Sequence, residues 1–179
     1  MSDIKVVALV GSLRAASLNR QLAEVAVETA PAGVGVEVFD RLGELPFYNE
    51  DLDNEAVPEV VAELRALVGG AGAVLAVTPE YNGTIPAVLK NAIDWLSRPY
   101  GSGAVAGKPL AVIGTALGQY GGVWAHDDTR KSFGIAGSDV VDVTLSLPSK
   151  AFDGKHPRES AQVADGVRDV VGKLVAQIG

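Results

Sequence analysis

Apolar positions along the chain follow two alternating rhythms. Residues 4–10 form a nearly unbroken β-branched run, the pattern of a strand covered on both faces, and residues 71–78 and 109–115 repeat it. Strands of that kind belong to parallel sheets. Residues 35–39 and 139–145 are rich in valine but alternate more clearly, which suits strands nearer an edge. Between these lie helical patterns at 18–30, 58–68, 86–96, 123–133 and 159–178. In the last of them Val163, Val167, Val170, Val171 and Leu174 recur at helical spacing with Arg168, Asp169 and Lys173 between, so one face packs on a sheet. Pro58 and Pro86 stand where first turns begin, and Gly69-Gly70 closes the second helix.

Each helix pattern follows one strand, with no internal repeat and no linker. Right-handed crossovers then predict one three-layer, doubly wound α/β domain over residues 1–179, a five-stranded parallel sheet of order 2-1-3-4-5. Such sheets bind ligands outside the carboxyl ends of their strands at the switch point. The loops after the first, third and fourth strands are therefore the places to look for chemistry.

Composition narrows the class of function. The chain has 179 residues, 47% hydrophobic and 21% charged. A domain of that size buries roughly two-thirds of its unfolded surface, which excludes disorder, collagen, coiled coil and low-complexity classes. Fifteen Lys plus Arg against 22 Asp plus Glu give a net charge of -7, and no basic cluster is present, so nucleic-acid binding is not expected. With no cysteine and two histidines, disulfides, thiolate metal sites, iron-sulfur clusters and cysteine nucleophiles are excluded. Residues 1–5 hold no cationic region ahead of an apolar core, and the apolar run 6–10 is too short to cross a membrane. A cytoplasmic protein without membrane attachment is the expectation.

The first loop reads Gly11-Ser12-Leu13-Arg14-Ala15-Ala16-Ser17-Leu18-Asn19-Arg20 and leads from a buried strand into a helix. A helix start offers unpaired N–H groups and the positive end of a dipole. Ser17 alone could be only a helix cap. Ser12, Arg14 and Asn19 within the same ten residues turn the ensemble into a pocket for a phosphate dianion. The loop is neither G-x-G-x-x-G nor a Walker A lysine loop, so neither a dinucleotide pyrophosphate nor ATP is the expected ligand. Asp40 then reads as a solvated turn residue rather than a ribose-binding acid.

The second loop, Thr78-Pro79-Glu80-Tyr81-Asn82-Gly83-Thr84-Ile85-Pro86, places an aromatic residue after the most apolar strand, as a platform for a flat ligand would. Gly83 permits positive φ and close backbone approach, and Pro79 and Pro86 stiffen both ends. The alternative is a rigid turn whose Tyr81 covers core. The third loop, Thr115-Ala116-Leu117-Gly118-Gln119-Tyr120-Gly121-Gly122, is glycine-rich and ends at a helix start on the same face.

Together these loops resemble the NAD(P)H-dependent FMN reductase family, the flavodoxin-like group that includes quinone, azo-dye and chromate reductases. The resemblance covers nearly the whole chain and rests on Gly11-Ser12-Leu13-Arg14 with Ser17 and Asn19, and on Pro79-Glu80-Tyr81-Asn82-Gly83 running into Pro86-Ala87-Val88-Leu89-Lys90-Asn91-Ala92-Ile93-Asp94-Trp95. It implies that Ser12, Arg14, Ser17 and Asn19 hold the FMN phosphate. Pro79, Glu80, Tyr81, Asn82 and Gly83 would line the isoalloxazine, and Thr115 and Gly118 would touch its other edge. Family members usually carry serine at the position of Thr115 and often a smaller residue near Tyr120. The implied chemistry is the cofactor's: NADPH or NADH gives a hydride to FMN, and a small acceptor later takes the electrons at the same face, so turnover is ping-pong. No side chain need act as a nucleophile, and no residue is assigned as catalytic.

Other candidates are weaker. His126 and Asp127 are adjacent and would point apart on a helix, so His126 is expected at a surface or interface. His156, in a polar run, reads as a solvated loop residue. The acidic stretch 50–55 lacks the glycine and the glutamate of a calcium loop, with Ala56 and Ala62 in their places. Phe47, Tyr48 and Asn49 either wall the ring pocket or simply pack. The helix 86–96 spreads Leu89, Ile93, Trp95 and Leu96 over more than one stripe, which suggests a second buried face. With the resemblance, this implies a homodimer or a dimer of dimers anchored by Trp95 and Trp124; otherwise both tryptophans complete the core. Two functions stand at this point: a flavin-dependent NAD(P)H oxidoreductase, and a flavodoxin-type electron carrier of the same fold.

Overall fold

In the computed structural model, residues 4–179 are described, and the expectation for residues 1–3 lies outside them. Strands β1 (Ile4–Val10), β2 (Val34–Phe39), β3 (Ala73–Val77), β4 (Pro109–Ala116) and β5 (Asp139–Pro148) form one parallel sheet in the order β2-β1-β3-β4-β5. Helices α1 (Leu18–Thr29), α2 (Glu59–Gly69), α3 (Ala87–Leu96), α4 (Val123–Ile135) and α5 (Ala161–Val175) connect and follow them.

The two-residue period of the inner strands divides the core into two. Val7, Leu9, Val74, Ala76, Leu110 and Val112 face one side, where Leu64, Val68, Leu89, Trp95 and Phe133 cover them. Val6, Ala8, Val10, Leu75, Val77 and Ile113 face the other, under Leu22, Val25, Val167 and Leu174. Both faces of β1, β3 and β4 are thus apolar because each is roofed by helices, which is why these segments read as continuous apolar runs.

The elements end where local chemistry stops them. Pro58 and Pro86 are not inside the first turns but are the residues just before α2 and α3, with extended ψ of 137° and 141°. Gly70 ends α2 in a right-handed conformation, φ -82°, so it is not the left-handed closure expected of glycine. The last helix starts later than its apolar period suggests. His156 and Glu159 cap a separate short turn that begins at Pro157, and Ser160 then caps α5 afresh.

Trp95 does not anchor an interface. Its ring is 0% exposed, its Nε1 donates to the Pro46 carbonyl at 2.8 Å, and Tyr48 meets it edge-on at 4.9 Å between centroids. The Arg65 guanidinium lies 5.6 Å from the ring centre and forms a two-pronged ion pair with Asp53 at 2.7 and 2.8 Å. The second buried face of α3 is therefore covered by residues 45–48 and by Arg65 of the same chain. Trp124, by contrast, is 57% exposed.

Candidate functional site

The carboxyl ends of β1, β3 and β4 bring the three loops to one mouth. Gly11 begins the first: its N–H donates to Val77 O at 2.8 Å, and a Cβ there would stand 2.6 Å from Thr78 Oγ1. The loop ends at Ser17, which is extended, buried, and accepts from Arg20 N at 3.4 Å, a long capping bond. No acidic residue occupies the first turn of α1. A cleft of about 350 Å³ lies beside this helix start, lined by Ser12, Leu13, Arg14, Ala15 and Arg20 among others. Arg20 is held by Asp40 at 2.6 Å, so Asp40 is an ion-pair partner rather than a merely solvated turn residue. Arg14 is exposed and forms no ion pair among the described residues.

Asn19 does not face this cleft with a free amide. Its Oδ1 accepts from Thr115 N at 2.9 Å and its Nδ2 donates to Thr115 O at 3.0 Å, with the residue 4% exposed. The side chain ties the first turn of α1 to the end of β4.

The second loop is a tight hairpin. Tyr81 and Thr84 exchange backbone bonds at 3.2 Å, and Asn82 and Gly83 between them both have positive φ, 53° and 77°. Paired positive φ is the turn that Asn-Gly favours. Tyr81 does not cover core; it is 51% exposed at the mouth. Glu80 turns away from the open face: its Oε2 accepts from the backbone N–H groups of Trp124 and Ala125 at 3.1 and 3.2 Å. It caps α4, whose preceding Gly122 offers no side chain for the purpose. Thr84 Oγ1 adds a bond to Asp128 at 2.6 Å, so the hairpin is fixed to α4 at two points.

The third loop leaves Gly118 in open space and donates Gly121 N to Gly118 O at 3.0 Å. Tyr120 and Trp124 pair across its end, 6.0 Å between ring centroids. Thr115 Oγ1 is buried and has no hydrogen-bond partner among the described residues.

His126 is not at a surface. It is 0% exposed, with Nε2 3.1 Å from Thr78 O and Nδ1 2.6 Å from Ser146 Oγ. A carbonyl only accepts, so Nε2 carries the hydrogen and Nδ1 accepts from the serine hydroxyl. Burial lowers the imidazole pKa below its usual value, which keeps the ring neutral near pH 7. His156 is also less free than expected: it caps its own turn and approaches Glu24 at 3.4 Å. Tyr48 packs on Trp95, Phe47 is exposed and Asn49 caps the turn at Glu50.

These features test whether FMN suits the mouth. A helix start without acidic residues and an uncommitted arginine match a phosphate dianion. An exposed tyrosine on a rigid hairpin matches a planar ring, and the unpaired Thr115 hydroxyl is a polar group still lacking a partner. The residues fit the group.

Fold and mouth together define an α/β protein of the flavodoxin-like type whose three loops meet at the switch point of its sheet. Comparison with known proteins makes the assignment specific. Residues 4–151 match the family model for NADPH-dependent FMN reductase, and the chain belongs to that family. A quinone reductase of Pseudomonas putida is 46% identical over 133 residues, covering 74% of this chain and 71% of that protein. A quinone reductase of Escherichia coli is 39% identical over 175 residues, 97% of this chain and 93% of its own length. Among solved structures, FerB, the flavoenzyme NAD(P)H:(acceptor) oxidoreductase from Paracoccus denitrificans, superposes with a TM-score of 0.85 at 35% identity, covering 98% of this chain and 97% of its own. Family membership favours the oxidoreductase over the electron carrier.

Proposed function

We propose that the chain works as an NAD(P)H-dependent FMN reductase that passes electrons to quinones, with the flavin seated in the mouth formed by the loops after β1, β3 and β4. The observation that carries this reading is the convergence of a helix start free of acidic residues, an uncommitted Arg14 and an exposed Tyr81 hairpin on one face of the sheet. Bound FMN would supply a two-electron carrier, reduced by NADPH or NADH and reoxidised by the acceptor.

The chain's own groups bind and orient. Ser12, Arg14 and the first N–H groups of α1 hold the phosphate, and Ser17 shapes the turn that presents them. Pro79, Tyr81, Asn82 and Gly83 wall the ring, and Glu80 and Asn19 act at one remove, by fixing the second loop and β4. Thr115 and Gly118 border the opposite edge. Backbone donors on the hairpin stabilise charge that develops on a ring edge, in a site partly shielded from water. The open face above Tyr81 admits nicotinamide and acceptor in turn.

The chain assembles as a homodimer or a dimer of dimers. Trp124 and Tyr120, large, aromatic and exposed beside the mouth, support this reading. No helix among the described residues is long and apolar enough to cross a membrane, and we place the protein's work in the cytoplasm. The test is steady-state oxidation of NADPH and NADH by benzoquinone with FMN present. Parallel double-reciprocal lines support the proposal, and no quinone-dependent oxidation of either nucleotide refutes it.

A further inference from the structure

In a parallel ladder the rungs are evenly spaced. Between β3 and β4 they run regularly to Val77 and Ile113, and Thr78 N then donates to Ile113 O at 3.0 Å. The next rung would join Thr115 N to Thr78 O. It is not made. Thr115 N donates instead to Asn19 Oδ1 at 2.9 Å, and Thr78 O accepts from His126 Nε2 at 3.1 Å.

Gly114 makes room for the exchange. A Cβ at that position would stand 2.0 Å from Thr78 O, 2.7 Å from His126 Nε2 and 2.9 Å from Asn19 Oδ1. Three groups from β3, α4 and α1 thus converge on one glycine of β4. Each backbone group released by the missing rung finds a buried side chain, so none is orphaned.

We propose that His126 is a positioning residue for the flavin site: with Asn19 it takes the place of the last rung between the carboxyl ends of β3 and β4 at Gly114, and so sets the place of the loop that begins at Pro79. The inference rests on the reading of the mouth as an FMN site. A sheet that needed only stability would keep the ordinary rung, which requires no buried imidazole. What the substitution achieves is location. Asn19 lies two residues after Ser17, at the helix start assigned to the phosphate, and Thr78 lies three residues before Tyr81, the ring platform. One clasp therefore fixes both halves of the site relative to β4.

The second nitrogen makes the clasp directional. Thr78 O can only accept, so Nε2 carries the hydrogen, and Ser146 Oγ, on β5, 2.6 Å from Nδ1, donates to that second nitrogen and holds the ring in place. Thr78 is further tied to α4 through Glu80, whose carboxylate caps the same first turn. Loss of His126 leaves the Thr78 carbonyl free to take the Thr115 N–H or to remain unpaired. The first outcome would draw the loop that starts one residue later toward β4, and the second would leave it without its anchor to α4 at Thr78.

The experiment uses the full chain and measures FMN affinity by quenching of flavin fluorescence, the visible circular dichroism of the bound flavin, and the melting temperature without flavin. His126→Leu removes the donor, His126→Gln keeps one, and Ser146→Ala removes the bond that orients the ring through Nδ1. We expect His126→Leu to weaken FMN by at least about tenfold with an altered dichroism band, and Ser146→Ala to weaken it by about three- to tenfold. His126→Gln should return affinity to within about threefold of the unchanged chain. If His126→Leu lowers only the melting temperature and leaves affinity and dichroism as they were, or if His126→Gln is no better than His126→Leu, the proposal is overturned. Should His126→Leu fail to fold, unchanged affinity in Ser146→Ala overturns it equally. Failure of the unchanged chain to bind FMN would instead overturn the reading of the mouth.

Discussion

Arg14 offers the sharpest test of how the ligand is held, because it is an exposed cation with no ion-pair partner among the described residues. Replacing it with alanine should affect only ligands that carry a phosphate. Charge-assisted hydrogen bonds contribute about 1.5 to 3 kcal/mol each, and exposure of Arg14 places it at the lower end of that range. At about 1.4 kcal/mol per factor of ten, Arg14→Ala should weaken FMN about tenfold. Riboflavin, which lacks the phosphate, should bind the two proteins equally. The N–H groups at the start of α1 remain in the variant, so FMN should still bind more tightly than riboflavin, by a margin that shrinks with salt. Fluorescence-quenching titrations of both flavins at two ionic strengths read these quantities directly. Equal loss of FMN and riboflavin affinity, or no loss of either, would refute the phosphate assignment.

Three further outcomes follow from packing and charge. Trp95→Ala should lower unfolding free energy by about 3 to 5 kcal/mol in denaturant titrations, whereas Trp124→Ala should leave the monomer's stability within about 0.5 kcal/mol and weaken self-association in sedimentation. Glu80→Ala should cost about 1 kcal/mol through loss of the α4 cap, and it should also loosen flavin binding by freeing the second loop; an unchanged melting temperature would contradict the capping bond. The bidentate bond from Arg65 holds the Asp53 carboxyl below its usual pKa. With a folded pKa below the unfolded one, this stabilisation is full above the ordinary carboxylate range and is lost as pH falls through the folded value. Asp53→Asn should therefore destabilise the protein at neutral pH and flatten the acid limb of its stability curve.

The sheet was legible because β1, β3 and β4 are covered on both faces, which leaves only Lys5 and Thr115 as polar positions in them. The positive φ of Gly83 was readable too, but that Asn82 shares it and closes a hairpin came only with the structure. His126 was not. On α4 the buried face runs through Ala125, His126, Thr129 and Phe133, and its polar members hide the helical stripe that apolar spacing would reveal. Thr129 meets its own need locally, through the Ala125 carbonyl at 2.6 Å, while His126 meets its need across the sheet. One signal did exist. Gly114 interrupts the β-branched stretch Val112, Ile113 and Thr115, and a glycine there marks a close approach of other groups to the backbone. Trp95 misled in a different way: the broad apolar surface of α3 is real, but the segment at Pro46 and Tyr48 covers it from within the chain. Long-range return of an irregular segment leaves no periodic trace in sequence.

Transfer of electrons from a nicotinamide to flavin in this mouth is what separates the oxidoreductase from the electron carrier. The direct measurement is to load the purified chain with FMN, remove oxygen, add NADPH or NADH in turn, and follow the flavin absorbance. Rapid and complete bleaching by at least one nucleotide, followed by recovery of colour on adding benzoquinone, is the predicted result. Bound flavin that neither nucleotide bleaches would contradict the account and return the chain to the electron-carrier reading.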